Sequence, residues 1–256
     1  GDTFLLFAGP CRVESRGQIM ETAAAIKKAG AHVLRGGAFK PCAHPHCDWG
    51  RGEQALAELR EAGERHGLPV ITEAMSVEQL DIVSRYADVI QIGTRNAQNY
   101  ELLRRLGDYP KPVMLKRGTW MNLRETLCAA EWAYFTDPQR GVKGNKNLFL
   151  CERGTVHFNT HMRWTLDIAM IPAFKNISHL PIIIDISHGT GGPGNTAYYR
   201  DLARAAVAVG ADGLMVEVHP DPAASQSDRD QTISLTEFAE LVEYIAPVVA
   251  AVGKRL

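Results

Sequence analysis

The feature that most constrains this chain is an alternation: a short apolar run, then a stretch with helical periodicity, recurring about eight times from end to end. Thr3 to Gly9, TFLLFAG, is a continuous apolar run stopped by Gly-Pro, the pattern of a strand buried on both faces. Ile19, Met20, Ala23 and Ile26 then recur at helical spacing over residues 18–29, and Gly30 follows as a stop. The same reading predicts strands at residues 32–35, 69–72, 88–92, 112–115, 147–150, 181–184 and 213–218. Helices are predicted at 53–66, 77–86, 98–106, 123–135 and 196–209, with an irregular helical region at 162–175. A last helix at 235–252 opens with Ser234 and Glu237 in capping-box spacing and carries Phe238, Leu241, Val242 and Ile245 as its buried stripe.

Apolar strands separated by helices require a parallel sheet covered by those helices, and about eight such units close into a (β/α)8 TIM barrel, of class α/β. An open doubly wound sheet is the alternative. The 256 residues, 45% of them apolar, suit one catalytic-sized barrel over 1–256, and no stretch reads as a separate regulatory domain. The polar segment 136–146 is the longest loop leading into a strand, which places it on the face away from the chemistry, serving assembly or nothing. A formal net charge of -1 gives no general attraction to nucleic acid or acidic membrane, so any anion site must be local. No apolar run approaches the roughly 18 residues that span a bilayer, and no signal segment opens the chain. With an odd set of five cysteines, a soluble, reducing compartment, the cytoplasm, is the expected home.

In a barrel the strand C-termini converge on one mouth, so residues just after each strand become neighbours. Those positions hold Cys11, Arg35 with Lys40, Glu73, Arg95, Lys116 with Arg117, Glu152 with Arg153, Asp185 with His188, and Glu217 with His219. Arg35, Lys40, Arg95, Lys116 and Arg153 together need a polyanion, because uncompensated buried cations are costly; phosphate with a carboxylate is the matching charge pattern. Cys11, His188 and Glu217, with Asp228 as a fourth, offer thiolate, imidazole and carboxylate, a set suited to Mn, Fe, Co or Zn more than to Mg or Ca. Taken singly, each has a plainer role: a core thiol, a turn histidine, half of an ion pair. At one rim, the metal is the better reading.

The connection HVLRGGAFKPCAHPHCDWG, from His32 to Gly50, concentrates much of this chemistry. Its double glycine lets backbone approach a ligand, Arg35 offers a planar fork and Lys40 a point charge. Cys42, His44, His46 and Cys47 are too tightly spaced for the separated pairs of a structural zinc site and read as loop contacts. His32, His66, His157, His161, His179, Trp120 and Trp132 are assigned to packing or surface, and Cys128 to a helix core.

The segments GPCRVES at Gly9, LRGGAFKP at Leu34, QIGTRNAQN at Gln91, LKRG at Leu115, CERG at Cys151, LPIIIDISH at Leu180 and VEVHPDP at Val216 resemble 3-deoxy-D-arabino-heptulosonate 7-phosphate (DAHP) synthases of the short bacterial type. The likeness spans nearly the whole chain; octulosonate 8-phosphate synthases fit these segments less well. It implies a homodimeric or homotetrameric barrel enzyme, a metal-dependent transferase. C3 of phosphoenolpyruvate attacks an aldehyde, water adds at C2 and phosphate leaves, giving a 3-deoxy-2-keto acid. It also implies that Arg35, Lys40, Gly93, Thr94, Arg95, Lys116 and Arg153 hold phosphoenolpyruvate, and that Cys11, His188, Glu217 and Asp228 ligate a divalent metal. Glu73 would lie near the reacting carbons or a water, with Lys40, Lys116 and His188 as further catalytic candidates.

Two departures bear on the second substrate. After Lys40 the family carries Pro, Arg and Thr or Ser, and that Arg-hydroxyl pair grips the aldehyde's phosphate; here the positions hold Cys42 and Ala43. After His188 family members carry a Lys or Arg, where this chain has GTGGPGN. The expectation is an acceptor other than ordinary erythrose 4-phosphate, met by Cys42, Ala43, His44, His46 or Trp49. Ordinary DAHP synthesis with the phosphate held by Arg51, and a noncatalytic phosphoenolpyruvate-binding barrel, are the alternatives.

Overall fold

The computed structural model describes residues 1–41, 45–158, 161–191 and 195–256. Strands β1 (Leu5–Gly9), β2 (Val33–Arg35), β3 (Val70–Glu73), β4 (Val89–Ile92), β5 (Val113–Lys116), β6 (Leu148–Glu152), β7 (Ile182–Asp185) and β8 (Gly213–His219) run parallel, each paired with the next. β8 returns to β1 in a register from Leu5 opposite Gly213 to Gly9 opposite Glu217, which closes the barrel. Helices α1 (Arg16–Lys28), α2 (Glu53–His66), α3 (Val77–Tyr86), α4 (Tyr100–Arg105), α5 (Leu123–Tyr134), α6 (Met170–Lys175), a short α7 (Ile186–Thr190), α8 (Tyr199–Ala208) and α9 (Leu235–Ala251) follow in order. α5 and α9 begin with complete capping boxes, Asn122 with Glu125 and Ser234 with Glu237.

Side chains alternate across each strand, so one set faces the helices and the other the barrel interior. Phe7, Val33, Ile71, Met114, Cys151, Ile183 and Met215 form a separate buried cluster, the apolar plug of the interior. Leu6, Ala8, Leu34, Val70, Ile90 and Leu214 belong to the larger layer between sheet and helices. Two residues beyond each plug position, on the same inward face, come Gly9, Arg35, Glu73, Lys116, Arg153, Asp185 and Glu217. The strand period alone therefore stacks a charged layer on an apolar one. Gly9 makes the tight crossing possible: its φ is +145°, and a Cβ there would lie 2.0 Å from the Arg35 carbonyl oxygen.

The predicted elements recur with ends shifted by at most three residues, except in three places. Of the region 162–175 only Met170–Lys175 is helical; the chain before it is a loop after β6, tied by a bridge between Thr155 and Thr165. α7 was not anticipated: Asp185 caps it, accepting the His188 backbone N–H at 3.0 Å. A short ninth strand, β9 (Ile233–Ser234), pairs with the end of β8 and brings the preceding residues back over the mouth. The 136–146 segment does lie before β6, away from the strand C-termini, but it has structural work. Asn145 is buried and its amide donates to the carbonyls of Leu106, Tyr109 and Lys111 at 3.3, 3.0 and 2.8 Å. Cys128 is exposed, because the buried face of α5 is formed by Thr126, Ala129, Ala130 and Ala133. Among the described residues no helix is long and apolar enough to cross a membrane.

At the end opposite the mouth, Asp212 ties three segments together. It accepts from Lys175 Nζ and Lys254 Nζ, both at 2.9 Å, and from the Ile182 N–H at 3.0 Å. Burial raises the pKa of its carboxyl, but these donors outweigh burial and hold it below the ordinary value. A carboxylate depressed in the folded state stabilises the fold above its unfolded pKa, and that contribution is lost as pH falls through the folded value. Asp212→Asn is therefore expected to cost on the order of 2 kcal/mol at neutral pH. In urea denaturation the difference from the parent should shrink once the pH is below about 4; an equal cost at both pH values would assign the loss to packing.

Candidate active site

The charged inward layer opens into a cavity of about 570 Å³, a size that suits small metabolites. Its cations are unequally compensated. Arg35 donates to Glu217 Oε1 at 2.8 Å, while its Nε has no partner. Lys116 Nζ donates to Asp185 Oδ2 at 2.5 Å. Arg153 is only 5% exposed, and neither its Nε nor its Nη1 has a hydrogen-bond partner among the described residues. It faces the Trp164 ring at 5.0 Å, and burial lowers its pKa. Arg95 lines the same cavity from the turn after β4. Arg117 is different: Glu152, Asp167 and the Met121 carbonyl hold its guanidinium at 2.8, 3.1 and 2.8 Å, so it supports the wall and is already neutralised.

Across the mouth, ligand atoms of Cys11, Glu217 and Asp228 all lie within 4.8 Å of one another. The Cys11 thiol donates to Asp228 Oδ2 at 2.8 Å. Lys40 Nζ donates to Cys11 Sγ at 2.6 Å and to Asp228 Oδ2 at 2.8 Å. Burial, and then the Glu217 and Asp228 carboxylates, push the Cys11 thiol up to about 12 despite Lys40. A thiolate here thus calls for more positive charge than the protein supplies. Asp228 also sits at φ 52°, the only non-glycine residue with positive φ among those described, a conformation that persists where the surroundings enforce it. A sulfur and two carboxylates so close together fit a divalent transition metal.

His188 lines the cavity but stands outside that three-atom group. Its Nδ1 lies 2.8 Å from Asp185 Oδ2, the oxygen that also receives Lys116. That contact orients the ring and leaves Nε2 for a ligand or a proton. Burial lowers the His188 pKa, with Asp185 opposing. Glu73 is enclosed as well: Gln91 Nε2 donates to one oxygen at 3.2 Å, and Oε1 has no partner. Burial raises its pKa against the pull of Lys116 and Lys40. The carboxylate fits only because residue 93 is glycine; a Cβ there would fall 2.0 Å from Glu73 Oε1.

With this geometry, comparison with known proteins is decisive. The sequence pattern described as the DAHP synthetase I family matches residues 1–250. The chain belongs to the DAHP synthetase I family. The family relatives include a phospho-2-dehydro-3-deoxyheptonate aldolase from Thermotoga maritima, 44% identical over 253 residues, covering 99% of this chain and 72% of the relative. A 2-dehydro-3-deoxyphosphooctonate aldolase from Nitrobacter hamburgensis is 32% identical over 254 residues, covering 93% and 85%. The crystal structure of the Thermotoga maritima DAHP synthase superposes with a TM-score of 0.91 at 43% identity, covering all of this chain and 72% of that one. A truncated form of the enzyme gives 0.88 at 42% identity and covers 90% of its chain. Membership makes this chain an enzyme of the class that condenses phosphoenolpyruvate with an aldehyde.

Of the residues singled out in the sequence, Cys11, Arg35, Lys40, Glu73, Gly93, Thr94, Arg95, Lys116, Arg153, His188, Glu217 and Asp228 all line the one cavity. The acceptor candidates fare differently. Cys42, Ala43 and His44 lie outside the described residues, and so do positions 192–194 of the GTGGPGN turn. His46 and Trp49 do not line the cavity, and Trp49 is 61% exposed. Cys47 and Asp48 line it instead. Cys47 is disulfide-bonded, which removes it as a thiolate ligand and departs from the reduced state expected of the cysteines; Cys11, Cys128 and Cys151 are free. His219 turns away to Glu14, 3.5 Å from its Nε2. Arg12, Asp48, Arg163, Trp164 and Trp120 were missed as lining residues. Arg12 was adjacent to Cys11 and so open to inference; the others come from loops whose path no periodicity describes.

The unpaired Arg153 generates a test. Arg153→Met should raise the melting temperature of the ligand-free protein by a few degrees, since buried N–H groups left without a hydrogen bond cost about 1–3 kcal/mol. The same change should abolish most of the stabilisation that phosphoenolpyruvate confers, about 2.7 kcal/mol at a hundredfold excess over Kd. Differential scanning calorimetry with and without phosphoenolpyruvate reads both.

Proposed function

We propose that this chain is a metal-dependent DAHP synthase-like transferase that joins phosphoenolpyruvate to an aldehyde, releases phosphate and forms a 3-deoxy-2-keto acid, with an acceptor other than ordinary erythrose 4-phosphate. The observation that carries the reading is one cavity holding both an undercompensated cation set, with Arg153 at its centre, and a Cys-Glu-Asp donor set. Arg35, Arg95, Lys116 and Arg153, with the Gly93–Thr94 turn, bind the phosphate and carboxylate of phosphoenolpyruvate. Their fixed positive charge stabilises the anion that develops as phosphate departs. A divalent ion bound by Cys11, Glu217 and Asp228, with His188 as the fourth ligand, would polarise the aldehyde carbonyl as a Lewis acid.

Lys40, held against Cys11 and Asp228, adds a further positive charge for phosphoenolpyruvate. Glu73, whose buried carboxyl holds its proton more readily than usual, faces Lys116 and is suited to hold or pass a proton at the water that adds to C2. Asp185 positions both Lys116 and His188. Water is excluded from the floor of the site by the apolar plug.

Ordinary DAHP synthesis is the second reading, favoured by the 44% identity to the Thermotoga maritima relative. It loses the support once looked for at Arg51, because Arg51 is engaged with Glu58 at 2.5 and 2.9 Å and does not line the cavity. A noncatalytic barrel accounts poorly for a clustered Cys-Glu-Asp donor set beside a buried Arg153 whose Nε and Nη1 have no partner among the described residues.

Phosphate release from phosphoenolpyruvate, measured across a panel of aldehydes with chelated and metal-restored protein, separates these readings. Activity should be lost on chelation, return with Mn, Co or Zn, and favour an aldehyde other than erythrose 4-phosphate. Efficient turnover of erythrose 4-phosphate would establish the ordinary activity. Asp185→Asn, which keeps the side-chain volume but removes the charge that orients His188, should lower metal affinity roughly 10–100-fold, read by titration of the metal into the chelated protein.

A further inference from the structure

The acceptor end of the cavity carries an ion pair that the phosphoenolpyruvate and metal sets do not use. Arg12, in the loop after β1, is 7% exposed, and its Nη2 pairs with the Asp48 carboxylate from the loop after β2. Both residues line the cavity, and Arg12 Nε is buried without a partner. The pair is held on each side by backbone. Gly37 N–H donates to the Cys11 carbonyl at 3.2 Å and Val13 N–H to the Gly37 carbonyl at 2.9 Å, fixing the chain around Arg12. Lys40 N–H donates to the Trp49 carbonyl at 2.8 Å, and the Gly50 N–H donates to Asp48 Oδ1 at 2.9 Å, fixing the carboxylate.

Topology sets where this pair stands. β1 lies between β8 and β2, so the loops bearing Arg12, Cys11, Asp48 and Asp228 share one sector of the mouth, while Arg95, Lys116 and Arg153 come from β4 to β6 across from it. The one buried guanidinium of this sector outside the phosphoenolpyruvate set is thus already committed to a carboxylate among the described residues.

We infer that Asp48 is a specificity-determining residue: by occupying Arg12 and presenting negative charge, it excludes a phosphorylated aldehyde and selects an uncharged polyhydroxylated one. This rests on the functional reading above and names its acceptor class. A dianionic tail meets a like charge and finds the guanidinium taken, whereas hydroxyl groups donate to Asp48 and accept from Arg12 together. Specificity of this kind comes from a repulsive element as much as from an attractive one.

The test uses inorganic phosphate as probe, titrated calorimetrically into protein saturated with metal and phosphoenolpyruvate, so that the phosphoenolpyruvate phosphate site is filled. Asp48→Asn should bind phosphate at least about tenfold more tightly than the parent, and adding Arg12→Gln should abolish the gain. In turnover, Asp48→Asn should move the kcat/KM ratio of erythrose 4-phosphate to erythrose by a similar factor toward the phosphorylated aldehyde, with KM for phosphoenolpyruvate as the control. An unchanged ratio and unchanged phosphate binding, with phosphoenolpyruvate still bound, overturns the inference alone. Loss of erythrose 4-phosphate turnover in Arg12→Gln with no effect of Asp48→Asn also overturns it, and makes Arg12 the phosphate grip. Failure of the parent to bind phosphoenolpyruvate at all is a separate result, which removes the functional reading underneath.

Discussion

Everything at the mouth depends on the two-residue period of the strands acting inside a closed barrel. Phe7, Val33, Ile71, Met114, Cys151, Ile183 and Met215 fill the interior. The next inward positions have nowhere to point but into the space above that plug. Charges forced into such a layer must find partners, and the structure settles some accounts and leaves others open. Lys116 has Asp185 and Arg35 has Glu217, but among the described residues Arg153 Nε and Nη1 have no hydrogen-bond partner and its guanidinium lies over Trp164. What remains positive is what an anionic substrate meets.

This dependence explains how much could be read from the chain alone. Strands buried on both faces appear as continuous apolar runs, and each ends on a charged or small residue, so the barrel and its rim residues are legible one strand at a time. Cys11, His188, Glu217 and Asp228 could be brought to one rim by topology, yet the separation of His188 from the other three is a matter of side-chain distance. The capping role of Asp185 is local and could have been noticed, since an acid three residues before a histidine at a strand end is a helix start. The Arg117 clamp was legible only in part: Glu152 ends the neighbouring strand β6, but Asp167 reaches Arg117 from a loop with no regular spacing. The loop after β2 was less legible: among its described residues Cys47 and Asp48 line the cavity, whereas His46 and Trp49 do not.

Arg35, Glu73, Lys116, Asp185 and Glu217 stand on the strands themselves, where backbone pairing fixes their positions within the sheet. Arg12, Asp48 and Asp228 reach the same cavity from loops. Loop residues can be exchanged while the register from Leu5 and Gly213 to Gly9 and Glu217 stays as it is.

Asp185 has one further consequence. A single carboxylate oxygen receives both Lys116 and His188, two groups delivered to the cavity by different strands. Charge gained or lost by one of them is therefore felt directly by the other, through a shared anion and with no moving part. An imidazole that gives up its proton loosens the competition for that oxygen and tightens the hold on the ammonium. The barrel thereby joins an ammonium from β5 to an imidazole after β7 through one shared anion.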